Sequence, residues 1–327
     1  MELNDTLKGW LGEVNKYLDE LKYGYYPEEL YEPIRYIMNL GGKRLRPLLT
    51  LLGYQLYNED TPSVIPAAAA VEVFHNFTLM HDDIMDEAPL RRGQATVHEK
   101  WNPNVAILSG DVMLIRVYDL LLNLPDVYVK KAMAAFNHTA AEVCEGQQID
   151  MNFETRDDVT VEEYLDMIRR KTAVLLGFAL QLGGLLGGAD RFDQKLLYRF
   201  GVNMGIGFQL KDDLLDVYGD QAKFGKQVGG DIIANKKTFL LIEAMKRAQG
   251  AQAEELNHWL NATDFDPAEK VAAVTAIYND LDIKALTEAK IADYFSDSAD
   301  ALEVLKCPDD RKALVKAFTD WLVARDK

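Results

Sequence analysis

Apolar residues recur at three- and four-residue intervals along most of the chain, the period of a helix buried on one face. Near the start, Leu7, Trp10, Leu11, Val14, Tyr17, Leu18 and Leu21 follow it, and residues 1 to 60 read as helices, with Pro27 and Pro33 punctuating the approach to Ile34. One long buried helix is predicted over residues 67–86, with further helices over 106–122 and 130–150. Thr160-Val161-Glu162-Glu163 matches a capping box and predicts a helix running through Leu180. A second long helix is predicted over 196–217, and from residue 250 onward the pattern is amphipathic with no chemistry to name. No sustained two-residue alternation bounded by hairpin signals breaks this pattern. The expected fold is all-α, a single large helical bundle with its site between helices.

Length and charge narrow the picture. At 327 residues the chain can bury a large core, and no linker, low-complexity tract or composition break divides it, so one domain over 1–327 is expected. No uninterrupted apolar run reaches the ~18 residues of a spanning helix, and the start lacks a signal or transit pattern. Two cysteines, Cys144 and Cys307, supply neither a disulfide framework nor zinc spacing, which fits a reducing cytoplasm. A net charge of −16 argues against a nucleic-acid surface and makes clustered basic residues informative.

The chemistry gathers around two DDxxD stretches, Asp82-Asp83-Ile84-Met85-Asp86 and Asp212-Asp213-Leu214-Leu215-Asp216, each inside an apolar run. On a helix the outer aspartates share a face, where like charges four residues apart repel. A single such cluster reads equally as a solvated acidic face. Two of them, 130 positions apart, point to a clamp in which Mg2+ bridges carboxylates and a diphosphate. His75 falls within about 20° of Asp82 on the helical wheel. Phe74 and Thr78 lean the same way, whereas Phe77 lies about 140° off.

Basic residues lie near these motifs. Gly41-Gly42-Lys43-Arg44-Leu45-Arg46-Pro47 places three cations on a glycine turn that opens a helix, an arrangement that suits an anion. Arg91 and Arg92 follow the first cluster, with forks suited to phosphate. Lys171-Thr172 sits among apolar residues, as either a buried cation needing an anionic partner or a surface lysine with its stem laid along the protein. Glu142, Glu145, Gln147, Gln148 and Asp150 read as packing and polar-face residues. The glycines and lysines of residues 223–231, with Asn235-Lys236-Lys237-Thr238 beyond, suggest a lid over phosphates, although an ordinary surface loop would look similar.

Taken together, GGKRLRP at 41–47, FTLMHDDIMDEAPLRRG at 77–93, KT at 171–172, QLKDDLLD at 209–216 and the stretch to Asn235-Lys236 resemble the trans-isoprenyl diphosphate synthases of the polyprenyl synthetase family. The resemblance implies the isoprenoid synthase fold, helices around a central cavity, usually as a homodimer. It implies that Lys43, Arg46, His75 and Arg92 hold isopentenyl diphosphate. Arg91, Lys171, Thr172, Gln209, Lys226 and Lys236 would hold the allylic diphosphate. Asp82, Asp86 and Asp212 would be the principal ligands of a trinuclear Mg2+ cluster bridging that diphosphate, with Asp83, Asp213 and Asp216 in the same catalytic set and Asp83 and Asp216 supporting through hydrogen bonds or water.

In this family the residues five and four before the first aspartate, here Phe77 and Thr78, help set the floor of the tail pocket. The resemblance therefore implies a geranylgeranyl diphosphate product, with farnesyl diphosphate second and longer products third. A terpene cyclase would carry a second motif mixing Asn, Ser or Thr with Glu, and a metal phosphohydrolase would want more than five histidines. A non-catalytic prenyl-diphosphate-binding subunit would show a damaged second cluster, and this one is intact.

Overall fold

The computed structural model describes residues 5–219 and 229–324. Helix α1 spans Asp5–Glu20, α2 Glu28–Asn39 and α3 Leu45–Gln55, followed by a 3-10 turn and the central helix α4, Ile65–Met85. A two-residue hairpin, β1 (Leu90–Arg91) and β2 (Gln94–Ala95), precedes α5 (Val97–Lys100), α6 (Pro103–Leu122) and α7 (Asp126–Phe153). Next come α8 (Val161–Ile168), a π-helical turn (Arg169–Ala173), α9 (Val174–Gly187) and α10 (Arg191–Tyr218). The remainder is α11 (Gly230–Ile233), α12 (Phe239–Arg247), α13 (Ala251–Asn261), α14 (Pro267–Asp280), α15 (Ile283–Glu303) and α16 (Asp309–Val323). The fold is all-α, as its periodicity predicts.

Local chemistry sets several boundaries. The Thr160–Glu163 capping box closes in both directions, and Asp190 caps α10 by accepting from the Phe192 and Asp193 amides at 2.8 Å. Two expectations need correction. Pro33 lies inside α2 rather than before a helix; as its sixth residue it stands past the four N–H groups that lack helical partners anyway, and so leaves the Glu29 carbonyl without its i+4 donor. The helix expected from Thr160 through Leu180 is interrupted by the π turn, because one extra residue in the coil leaves the apolar pattern on either side intact.

Helix α4 is buried around much of its circumference, from Ala67 to Phe74 without a break. It packs on α6 and α3, α3 packs on α9, and α9 packs on α10, which also carries α15. The α3–α9 crossing brings backbones together: a Cβ at Gly183 would sit 2.0 Å from the Thr50 carbonyl oxygen, so only glycine fits. Helix α10 joins two hydrophobic clusters, giving Leu197, Phe200 and Met204 to the first and Ile206, Leu210 and Leu214 to the second. Among the described residues one helix, Thr61–Met85, is long and apolar enough to cross a membrane by length and composition; 61% of its apolar window is buried within the protein.

Candidate active site

Both aspartate clusters stand at the C-terminal ends of long helices. Asp82 and Asp83 lie in the last turn of α4 and Asp86 is its C-cap, while Asp212, Asp213 and Asp216 fall in the last turns of α10. A helix C-terminus carries partial negative charge, so carboxylates there are opposed by the dipole as well as by each other. Neither helix has a basic residue in its last turn. A set of hard oxygen donors, placed at helix ends whose last turns carry no basic residue, fits a hard divalent cation.

The carboxylates are not equivalent. Burial pushes Asp82 up to about 6, with Asp86 and Asp83 adding repulsion that Lys171 and Arg91 oppose. Asp83 is almost fully buried and accepts from Arg91, whose Nε lies 2.9 and 2.8 Å from the two carboxylate oxygens and whose Nη2 lies 2.6 Å from Oδ1. Asp213 is also buried; it accepts from the Tyr164 hydroxyl and from Gln209 Nε2 at 2.9 Å. Burial, then Asp231, raise its pKa. Asp216 Oδ2 accepts from the Asp231 amide at 2.9 Å and its carbonyl from the Gly229 amide at 2.6 Å, which ties the start of α11 to α10. Among the described residues no three acidic, imidazole or thiol side chains converge on one point. Mg2+ usually takes one or two carboxylates and completes its shell with phosphate oxygens and water, so separated clusters suit a metal that arrives with a diphosphate.

Beside the first cluster lies a cavity of about 610 Å3, lined among others by Asp86, Asp150, Asp231, Lys236 and Lys237. A smaller recess of about 90 Å3 shares Asp150, Lys236 and Lys237 and adds Lys171, Thr172, Gln209 and Asp213. The π turn presents Lys171 and Thr172 to this recess. It lies against α7 at Gly146, where a Cβ would come within 2.2 Å of the Lys171 amide nitrogen. Lys171 Nζ donates to Asp150 at 2.5 Å, and Thr172 donates to Gln209 Oε1 at 3.3 Å. Lys171 is therefore a partly buried cation with an anionic partner, the first of its two sequence alternatives. Burial pulls the Lys236 ammonium down, but Asp231, Asp213, Asp150 and Asp86 outweigh it and leave the pKa raised.

The remaining basic residues form a separate group. Arg46 Nη1 lies 3.1 Å from His75 Nε2. Burial and then Arg46, Arg92 and Arg91 hold His75 well below its usual pKa, so it is a neutral acceptor, while burial draws Arg46 down to about 10 and leaves it cationic. Arg46 Nε is buried with no partner. Arg92 and Gly93, both at positive φ, make the hairpin turn, and the Arg92 guanidinium passes close over Gly42, where a Cβ would meet Nη2 at 2.7 Å. Lys43 is exposed on the same loop.

Of the three cations on that loop, Arg44 belongs to the core. Its left-handed backbone (φ 48°) turns the side chain inward onto Glu72 at 2.7 Å and the Met38 carbonyl at 2.8 Å. Lys226 and most of the expected lid, residues 220–228, lie outside the described residues. Two site residues were hidden in the sequence pattern. Asp150 reads as polar helix surface until the π turn brings Lys171 onto it, and no motif singles out Tyr164, whose hydroxyl meets Asp213 only in the folded packing.

Phe77 is nearly buried on α4, 5.6 Å centroid to centroid from Phe74 and 4.7 Å from His81. Beneath it, Phe74 meets Phe136 edge-on at 5.0 Å, and Phe136 meets Tyr118 and Phe178 at 5.4 and 5.9 Å. Thr78 donates to the His75 carbonyl at 2.8 Å.

Comparison with known proteins places this geometry. Residues 27–280 match the polyprenyl synthetase family model. The chain is 37% identical to a geranylgeranyl diphosphate synthase of Methanosarcina mazei, over all of this chain and 99% of that protein. It is likewise 37% identical to a geranylgeranyl pyrophosphate synthase of Geoglobus acetivorans, over 99% of each. A crystal structure of a geranylgeranyl pyrophosphate synthase superposes with a TM-score of 0.91 at 43% identity, covering 100% of both chains.

Proposed function

The chain belongs to the polyprenyl synthetase family, and from that premise we propose a reaction: head-to-tail transfer of a prenyl group from an allylic diphosphate to isopentenyl diphosphate. The observation that carries it is the pair of aspartate clusters at two helix C-termini, Asp86 lining the larger cavity and Asp213 the recess also lined by Lys171, Thr172 and Gln209, with Asp150, Lys236 and Lys237 common to both.

In this reading Arg91, Lys171, Thr172, Gln209, Lys226 and Lys236 bind the allylic diphosphate, and Lys43, Arg46, His75 and Arg92 bind isopentenyl diphosphate. The buried, unpartnered Arg46 Nε supports the second assignment. Asp82, Asp86 and Asp212 would hold Mg2+, which supplies positive charge against the leaving diphosphate. Asp83, Asp213 and Asp216 act through hydrogen bonds, orienting Arg91, Gln209 and the start of α11 respectively.

Lys171 and Lys236 stabilise charge developing on the diphosphate as the allylic C–O bond breaks. Thr172 Oγ1 and Gln209 Oε1 place oxygen dipoles beside the allylic cation. The isopentenyl double bond attacks its first carbon, one C–C bond forms, and the proton lost from the adjacent carbon passes to the released diphosphate.

The relatives' names and the aromatic floor beneath Phe77 support geranylgeranyl diphosphate as product. We also take the chain as a single-domain, cytoplasmic homodimer. The exposed apolar stripe Ile107, Leu108, Ile115 and Leu122 along α6 supports the dimer, since a water-facing row of this kind marks an interaction surface. Purified protein would be incubated with isopentenyl diphosphate, Mg2+ and dimethylallyl, geranyl or farnesyl diphosphate in turn. A twenty-carbon product is expected; a fifteen-carbon end point would reassign the product, and no condensation with any primer would overturn the reaction.

A further inference from the structure

Lys270, on α14, is 0% exposed, and its Nζ meets a side-chain amide and a backbone carbonyl rather than a carboxylate. Removing an ammonium from water costs several kcal/mol unless its donors are met, and an apolar side chain of the same length would fill the space as well. Its three N–H donors are met by three different groups. Nζ lies 2.6 Å from Asn235 Oδ1, 3.3 Å from the Ile233 carbonyl oxygen and 4.4 Å from the Phe265 ring centroid. The two oxygen acceptors belong to one feature, the turn that ends α11 and leads into Lys236.

That turn is otherwise hard to hold. Asn235 is left-handed (φ 53°), a conformation that costs a non-glycine residue free energy unless its surroundings fix it. Its side chain spans two elements, accepting from Lys270 and donating through Nδ2 to the Leu260 carbonyl at 3.0 Å. The Lys236 amide, one residue on, donates back to the Asp231 carbonyl at 2.9 Å. At the other end of α11, Asp216 accepts from the Asp231 amide. The segment bearing Asp231 and Lys236 is thus pinned at both ends, by an aspartate of the second cluster and by Lys270.

We infer that Lys270 is a positioning residue for the reaction: through Asn235 and the Ile233 carbonyl it fixes the turn from which Lys236 reaches the cavity holding Asp86 and Asp150. This rests on the assignment of Lys236 to the allylic diphosphate. It extends the functional residues into the C-terminal third, where the sequence pattern names no chemistry.

The test compares Lys270→Met, Lys236→Ala and the double variant, measuring KM for each substrate and kcat. Displacing a binding group by about 1 Å can cost up to ~10²-fold. Lys270→Met is expected to raise KM for the allylic diphosphate by about tenfold, leaving KM for isopentenyl diphosphate within about twofold. The double variant should bind the allylic substrate no more weakly than Lys236→Ala alone, because both changes remove one function.

Unchanged allylic KM in Lys270→Met, equal rises for both substrates, or additive losses in the double variant would each overturn the inference. If Lys236→Ala itself leaves allylic KM unchanged, the Lys236 assignment fails and this inference with it. If Lys236→Ala is impaired and Lys270→Met is not, only the inference falls. Should Lys270→Met not fold, Asn235→Gly keeps the left-handed turn and deletes the amide. The same selective rise in allylic KM is expected there, and its absence would overturn the inference.

Discussion

The His81 imidazole occupies the space that a side chain on Gly110 would fill: a Cβ there would lie 2.2 Å from Nε2. The ring is also held by the Ile107 carbonyl at 3.2 Å and by Phe77 at 4.7 Å. His81 thus fastens Phe77, the residue proposed for the pocket floor, and the adjoining Asp82 to α6. Gly110→Ala must displace this ring, and overpacking of this kind costs about 1–3 kcal/mol. A lower Tm together with a changed product distribution is expected; thermal denaturation and product chromatography would show either, and no change in both would mean the ring swings aside freely.

Carboxylates adjacent in sequence should behave differently. Asp82→Ala or Asp212→Ala removes charge that stabilises the leaving diphosphate and should lower kcat at least about 10²-fold, the order seen when one charge-stabilising group is deleted. Circular dichroism should be unchanged, since opposed charges at a helix C-terminus add nothing to the fold. Asp83→Asn instead strips a buried carboxylate from Arg91, a pair whose disruption costs about 3–5 kcal/mol when fully buried and less here, because the Arg91 side chain is 25% exposed. It should lower Tm as well as activity. Equal melting temperatures in Asp82→Ala and Asp83→Asn would contradict this division of labour.

Phe77→Ala should lengthen the product, since it removes the ring above the Phe74–Phe136 contact. Deleting a buried phenylalanine costs about 3–5 kcal/mol, so the assay belongs at low temperature. The added length should be limited where the tail meets the edge-to-face rings of Phe74, Phe136 and Tyr118. Unchanged product length in a folded variant would place the floor elsewhere.

These residues differ in how far the sequence announces them. The two long acidic helices are legible because apolar periodicity and DDxxD spacing are local properties. Arg44 is not, because a single left-handed residue separates a core cation from its solvent-side neighbour Lys43. The π turn is silent in the pattern, since it adds one residue without moving the apolar faces around it, yet it decides that Lys171 meets Asp150. Lys270 is hidden for another reason. A lysine on an amphipathic helix reads as surface, and only the packing of α14 against the Asn235 turn buries it.

The raised pKa of Asp82 gives the site a pH signature with a definite sign. Without metal, a folded-state value of about 6 against an ordinary 3.8 means the folded protein holds this proton more tightly than the unfolded chain. That contribution to stability is full below the unfolded value and is lost as pH rises through about 6. Mg2+ binding acts in the opposite direction, because the metal takes the carboxylate and must displace the proton. The rise in Tm produced by Mg2+ with an allylic diphosphate should therefore grow between about pH 5 and pH 7, with a proton released on binding near the lower end. In Asp82→Asn the group cannot titrate, so this part of the pH dependence should vanish. A thermal-shift series with and without Mg2+ checks it, and an Mg2+ effect as large at pH 5 as at pH 7 would remove Asp82 from the metal site.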